Sequence, residues 1–335
     1  MKRVLVSGYI GFNNFGDEAI FYALSNHLKE KNVVVSALTS SKKETKEKYD
    51  VEVYNFKNPS EILKGILSCD FLFSGGGSLL QNKTSSFSLI YYLFIILLAK
   101  MFFKKVIIFA QGIEPIKGKF FEFITKTILK TCDFISVRDL KSQELLKSWK
   151  IKSTLLSDPV YSILQDRKIN ENKKGLIVQL RSFEGIDEKF LSDLAQSISK
   201  SYQSEIKVLS LQEEYDKNLC LEFIKKLEEN NLKAEFINPK TIEETIEIIN
   251  SVEFIISTRL HGLICSSALK TKSFALIYDD KIKTLCDELN LQSIEIKNYK
   301  KENLAEKLIE FFNNKTFQAN PYRRFSWDYI DNILN

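Results

Sequence analysis

Histidine is almost missing from this chain: His27 and His261 are the only two among 335 residues. A metal site built on several imidazoles is therefore excluded. The five cysteines, Cys69, Cys132, Cys220, Cys265 and Cys286, are odd in number and form no C-x-x-C pair. Each lies in or beside an apolar run, so they are expected as buried thiols in a reducing compartment, and the chain as cytoplasmic. No G-x-G-x-x-G follows the first strand, which removes the NAD fingerprint. The basic excess, 48 Lys and Arg against 43 Asp and Glu, is less dense than a nucleic-acid binder needs. It suits an anionic small substrate or an anionic membrane surface.

Long hydrophobic runs are lacking too. A span needs roughly 20 apolar residues, and the longest candidate, 87–103, is interrupted by Lys100 and followed by Lys104 and Lys105. It is expected as a helix buried against a sheet, with contact to the inner face of the membrane as the alternative. The opening MKRVLVSG has an apolar core of only about four residues, too short for a signal peptide. It reads as a buried first strand.

What is there is alternation. Short β-branched runs exchange with amphipathic stretches, the pattern of parallel sheets with crossover helices. Strands are expected at 3–7, 33–38, 51–54, 71–73, 106–110, 134–137 and 153–156, and in a second series at 176–180, 206–211, 234–237, 254–257, 273–278 and 293–296. The polar stretch 157–174 reads as a linker. Thr241 and Glu244 form a capping box, and a last helix is expected at 302–314. The fold class is thus α/β, with two Rossmann-like doubly wound domains at 1–160 and 172–314. The aromatic, basic tail 315–335 is expected to pack back on the body, whereas His27 reads as a surface residue.

In such sheets ligands bind beyond the carboxyl ends of the strands, and the unusual residues fall there. GYIGFNNFGDEAI follows the first strand with Gly8, Gly11 and Gly16, then Asn14, Asp17 and Glu18. Asp17 and Glu18 either stabilise a helix N-terminus or face a ligand as hydroxyl-binding or base carboxylates. Two acids beside the loop suit a sugar better than a phosphate. SGGGSLLQN follows the fourth strand, and Gly75, Gly76 and Gly77 before a helical run are expected to expose backbone N–H groups, with Gln81 near the same edge. AQGIEP brings Gln111 and Glu114, SVRD brings Arg138, and QLRSF brings Arg181. IISTRLHG delivers Arg259, Leu260 and His261 from a fully apolar strand, and YDDKI brings Lys281 after Asp279 and Asp280. Arg138, Arg259, His261 and Lys281 together would meet a small polyanion bearing a carboxylate and a phosphate, and arginine forks suit both groups bidentately.

The stretches GYIGFNNFGDEAI, FLFSGGGSLLQN, IIFAQGIEP, ISVRD, LSDPV, STRLHGLICSSA and YDDKI, in this order, resemble the polysaccharide pyruvyl transferase family, particularly its CsaB-like branch. Thr258 and Asp280 depart from residues common in that family. The resemblance implies a GT-B-like fold with an interdomain cleft and phosphoenolpyruvate as donor substrate, without cofactor or metal. It implies Arg138, Arg259, Leu260, His261 and Lys281 as donor ligands, and an acceptor side formed by Asn14, Asp17, Glu18, Gly76 and Gln81. His261 is the candidate acid, since imidazole as a group titrates near neutral pH; Asp17 or Glu18 is the candidate base. The implied acceptor is a lipid-linked cell-envelope sugar, N-acetylmannosamine of a secondary cell-wall polymer precursor. The alternatives are a GT-B nucleotide-sugar glycosyltransferase and a non-catalytic sugar-binding descendant.

Overall fold

The computed structural model describes residues 1–83, 85–183, 185–314 and 320–334. The apolar runs become thirteen strands among these residues. They are β1 (Arg3–Ser7), β2 (Val34–Thr39), β3 (Glu52–Asn55), β4 (Phe71–Ser74), β5 (Lys105–Gln111), β6 (Phe134–Val137) and β7 (Thr154–Leu155), then β8 (Leu176–Gln179), β9 (Ile206–Leu209), β10 (Ala234–Ile237), β11 (Phe254–Ser257), β12 (Lys272–Ile277) and β13 (Gln292–Glu295). Their ends match the expected ones to within two residues. Central strands covered on both faces must be apolar throughout, which is why continuous runs such as VIIFA mark them.

The chain divides into two units, Met1–Ile163 with Arg324–Asn335, and Leu164–Arg323. The first contains a parallel sheet of order β3-β2-β1-β4-β5-β6-β7, the second a parallel sheet of order β10-β9-β8-β11-β12-β13. Both are doubly wound and Rossmann-like. Each reverses direction once, between β1 and β4 and between β8 and β11, and such switch points are where open α/β sheets bind ligands. Leu5, Leu72, Ile108 and Ile96 anchor the first core; Val178, Ile256, Phe274 and Phe223 anchor the second.

Three local expectations change. The supposed linker carries a short helix, Val160–Leu164: Asp158 Oδ1 accepts the Val160 N–H at 3.1 Å, and Val160 and Leu164 are buried. The capping box is only half formed. Thr241 Oγ1 accepts the Glu244 N–H at 3.0 Å, but the Glu244 carboxylate takes the Lys240 N–H, one residue early, at 2.7 Å. The helix Ser86–Met101 buries one face only, and no described helix is long and apolar enough to cross a membrane.

His27 is also not a surface residue. Its ring stacks on Trp327 with centroids 4.2 Å apart, and its Nε2 lies 2.7 Å from Asp331 Oδ1. Of the expected tail, residues 315–319 and 335 lie outside the described residues; 324–334 belongs to the first unit. Burial alone would raise the Asp331 carboxyl, but hydrogen bonds from Lys31 and His27 outweigh it and hold the group below its ordinary 3.8. A lowered carboxyl contributes stability above its ordinary value and loses it as pH falls through the folded one. Tail docking is therefore expected to weaken below pH 3.8, and in Asp331→Asn already at neutral pH. Trp327 emission in a Trp149→Phe background reads the release; an unchanged spectrum in Asp331→Asn would contradict it.

Candidate functional site

In the first unit the switch point is formed by the loops after β1 and β4. Gly75 N–H donates to Ser7 O at 2.7 Å, tying them together. The β1 loop ends at Asn14, whose side chain accepts the Gly16 N–H at 3.2 Å and starts the helix Phe15–Glu30. Asp17 and Glu18, adjacent in sequence, then part company. Glu18 turns inward, is buried, accepts the Gly11 N–H at 2.7 Å and takes the Tyr49 hydroxyl proton donor. Burial raises its carboxyl, against the pull of these bonds. It holds the loop closed and is not among the residues that line the recess beside it. Asp17 lines a recess with Gly8, Tyr9, Gly75 and Gly76.

The glycine run does not open a helix, contrary to what its sequence suggests: residues 75–83 contain no helix, and the next one begins at Ser86. The run instead continues along β5, where Gly112 N–H donates to Gly77 O at 2.8 Å. That bond uses a carbonyl of the run, and of its N–H groups that of Gly75 is spent on Ser7 O. Glycine is required by space. A Cβ on Gly76 would lie 2.7 Å from Ile20 Cγ2, and one on Gly77, at φ +96°, would lie 2.6 Å from Asp17 Oδ1. Gly77→Ala is expected to cost about 1–3 kcal/mol of stability and to displace Asp17; an unchanged urea midpoint would contradict this. Gln81 sits further along the loop and accepts the Lys83 N–H at 2.7 Å.

At the end of β5 the register breaks between Ile108 and Gln111, with Ala110 at φ 43°. Such a bulge re-aims side chains beside a site. Gln111 is fully buried and donates to Ser74 Oγ at 2.9 Å. Arg138, following β6, has its fork engaged by side chains of its own unit. Its Nη1 is paired with buried Asp158 at 2.7 Å and its Nη2 reaches Ser78 Oγ at 3.2 Å.

The second unit repeats this plan. At its switch point Ser257 Oγ donates to Gln179 Oε1 at 2.8 Å and accepts the Arg259 N–H at 3.0 Å. Arg259 is the extended N-cap of the helix Leu260–Ala268 and is only 6% exposed. Its Nη2 pairs with Asp216 at 2.5 Å and its Nη1 reaches Gln212 Oε1 at 3.3 Å. Asp216 also accepts the N–H groups of Leu211 and Gln212. Burial pushes its carboxyl up while Arg259 pulls it down. Arg259 Nε is buried and has no acceptor among the described residues. Leu260 and His261 occupy the first turn and are partly exposed. Gly262 permits the close approach of this helix to β11, since a Cβ would lie 2.8 Å from Ser257 Oγ. β11 and β12 pair with Ser257 opposite Ala275, so the following loops leave the same sheet edge. There Asp279 caps the helix Asp280–Leu289 through the Ile282 N–H at 3.0 Å, and Lys281 Nζ lies 3.4 Å from Asp279 Oδ2.

The family model described as polysaccharide pyruvyl transferase matches residues 14–280. The chain belongs to the polysaccharide pyruvyl transferase family. No curated protein matches it in sequence. Among solved structures it is similar to the UDP-GlcNAc 2-epimerase of Methanocaldococcus jannaschii, at 14% identity over 100% of this chain and 99% of that one, TM-score 0.65. The S. aureus MnaA–UDP co-structure is 11% identical over 94% and 89%, TM-score 0.66. Anabaena HepE with UDP and glucose is 9% identical over 94% and 90%, TM-score 0.58. These likenesses show the fold, a GT-B-type pair of Rossmann-like domains.

Membership in the pyruvyl transferase family makes the chain a transferase, with a donor and a sugar acceptor implied. The first unit brings Asn14, Asp17 and Gly76 to one switch point, and the second brings Arg259, Leu260, His261 and Lys281 to one sheet edge. Sequence reasoning missed the groups that hold the arginines. Asp158 carried a signal, lying in LSDPV with the other motifs. Asp216 carried none, being one acid among several on the helix Glu213–Glu229.

Proposed function

We propose that the chain moves the pyruvyl group of phosphoenolpyruvate to a cell-envelope sugar as a cyclic ketal, releasing phosphate. The proposed acceptor is N-acetylmannosamine of a lipid-linked secondary cell-wall polymer precursor. The observation that carries the chemistry is the family match over residues 14–280. Arg259 supports an anionic donor: a buried guanidinium N–H without an acceptor is costly, and a donor oxygen would satisfy it. Leu260, His261 and Lys281 complete the proposed donor set, with Arg138 as a further ligand held by Asp158.

Protonation of the donor's methylene carbon by His261 creates positive charge at the central carbon. One sugar hydroxyl attacks there, its proton going to Asp17. Phosphate then leaves with the bridging oxygen, stabilised by the cations. A second hydroxyl adds to the same carbon and closes the ketal. Of the two hydroxyl protons, one balances the new methyl group and the other leaves with phosphate. His261→Ala is expected to abolish transfer with an unchanged melting temperature; full turnover in that variant would remove His261 from the mechanism.

The decisive experiment is an acceptor screen with phosphoenolpyruvate, followed by mass spectrometry for the added pyruvyl group and an assay for phosphate. UDP-sugars run in parallel, because HepE and MnaA were solved with UDP. Sugar transfer from a UDP-sugar without phosphate release from phosphoenolpyruvate would replace this reading by the glycosyltransferase one.

A further inference from the structure

The helix Ser86–Met101 is apolar on two faces, and the chain covers only one. Leu89, Leu93, Ile96 and Ala99 enter the core of the first unit. Phe87, Ile90, Phe94, Leu97 and Met101, spaced 3, 4, 3 and 4 residues apart, form a stripe in solvent, Phe87 at 86% exposure. The stripe continues to Phe103, which is 95% exposed and stands at φ 56°. There Phe103 and Lys104 N–H close the helix end on Lys100 O and Ala99 O, a position that favours glycine or asparagine. The same left-handed position after other helices holds Asn32, Asp50, Lys150, Asn231, Lys270 or Asn290, all polar. An aromatic ring at this position, turned outward, is unfavourable in water. The helix Lys119–Leu129, packed beside Ser86–Met101, adds Phe120 and Phe123 to the exposed apolar surface. Contiguous patches of this kind mark surfaces that something covers.

Charge says what covers it. Residues 83–130 contain eight lysines and, as acids, only Glu114 and Glu122, a net of +6, whereas the whole chain is +5; Lys83, Lys100 and Lys126 pair with Glu114, Asp133 and Glu122. The rest of the molecule is therefore at −1, and the mild overall excess is concentrated on the segment that carries the patch. We infer that this face of the first unit docks on an anionic lipid bilayer. The phenylalanines enter the boundary between headgroups and acyl chains, and the lysines outside those three pairs meet the lipid phosphates. A second copy of the chain would set one cationic segment against another across the contact, which repels; an anionic surface reverses that sign. The helix follows directly on the loop carrying Gly75, Gly76 and Gln81, so docking fixes one end of that loop at the surface. The inference stands on the patch and its charge, independently of the pyruvyl chemistry.

Flotation of the intact chain with vesicles tests it. Binding to phosphatidylglycerol-containing vesicles is expected, weaker by about tenfold or more on phosphatidylcholine alone and weaker again at high salt. Phe87→Ser combined with Phe94→Ser and Phe123→Ser is expected to lower binding by about tenfold or more, with an unchanged melting temperature because all three rings are exposed. Failure of the unaltered chain to bind either vesicle, or equal binding by the triple variant, overturns the inference. So does a dimer in sedimentation that the triple variant converts to monomer.

Discussion

Asp17→Asn is expected to lower turnover by about 10²–10⁴-fold, the usual loss when a general base is removed, while stability stays within about 0.5 kcal/mol because the side chain faces the recess. Glu18→Ala is expected to show the reverse order of effects. It leaves the Gly11 N–H and the Tyr49 hydroxyl without their acceptor, at about 1–3 kcal/mol for each buried group, and turnover falls only as far as the loop shifts. Turnover and urea denaturation measured on both variants separate the roles. Equal loss of activity with no loss of stability in Glu18→Ala would place that carboxylate in the chemistry after all.

The second large effect concerns Arg259 and Asp216. Both are buried and paired, so removing either one strands a charge in the interior. Asp216→Leu or Arg259→Met alone is expected to cost about 3–5 kcal/mol, and the two together to recover most of that loss, because two apolar groups replace two charges. Recovery of stability is not expected to bring back donor binding or turnover, since no guanidinium remains. This separation tests a functional arginine against a structural one. A double variant that is both stable and active would reduce the pair to scaffolding.

Strands and switch-point loops were legible because their cause is local. A parallel strand buried on both faces needs an unbroken apolar run, and a loop beyond its carboxyl end needs glycine and polar side chains. The same locality explains the errors. The glycines at 75–77 look like a helix start, but their pairing with β5 is set by a strand some 35 residues away. Asp17 and Glu18 look alike in sequence, and only the helix direction decides that Glu18 meets Tyr49 while Asp17 meets the recess. His27 is surrounded by polar neighbours on its helix, yet its partners Trp327 and Asp331 come from the far end of the chain. The arginines of SVRD and STRLHG stand out in sequence, but their carboxylates do not. Asp216 lies 43 residues from Arg259, in a helix whose first turn also carries Glu213 and Glu214. The exposed apolar stripe was half visible. A 17-residue apolar run does not reveal which of its residues the sheet covers, and the covered face became plain only with the helix in place.

Titration calorimetry with phosphoenolpyruvate bears most directly on the proposed chemistry. The intact chain is expected to bind it saturably, and Arg259→Lys at least about tenfold more weakly, because an ammonium keeps the charge but not the Nε–H or the fork. No heat with phosphoenolpyruvate, together with saturable binding of a UDP-sugar, would contradict it.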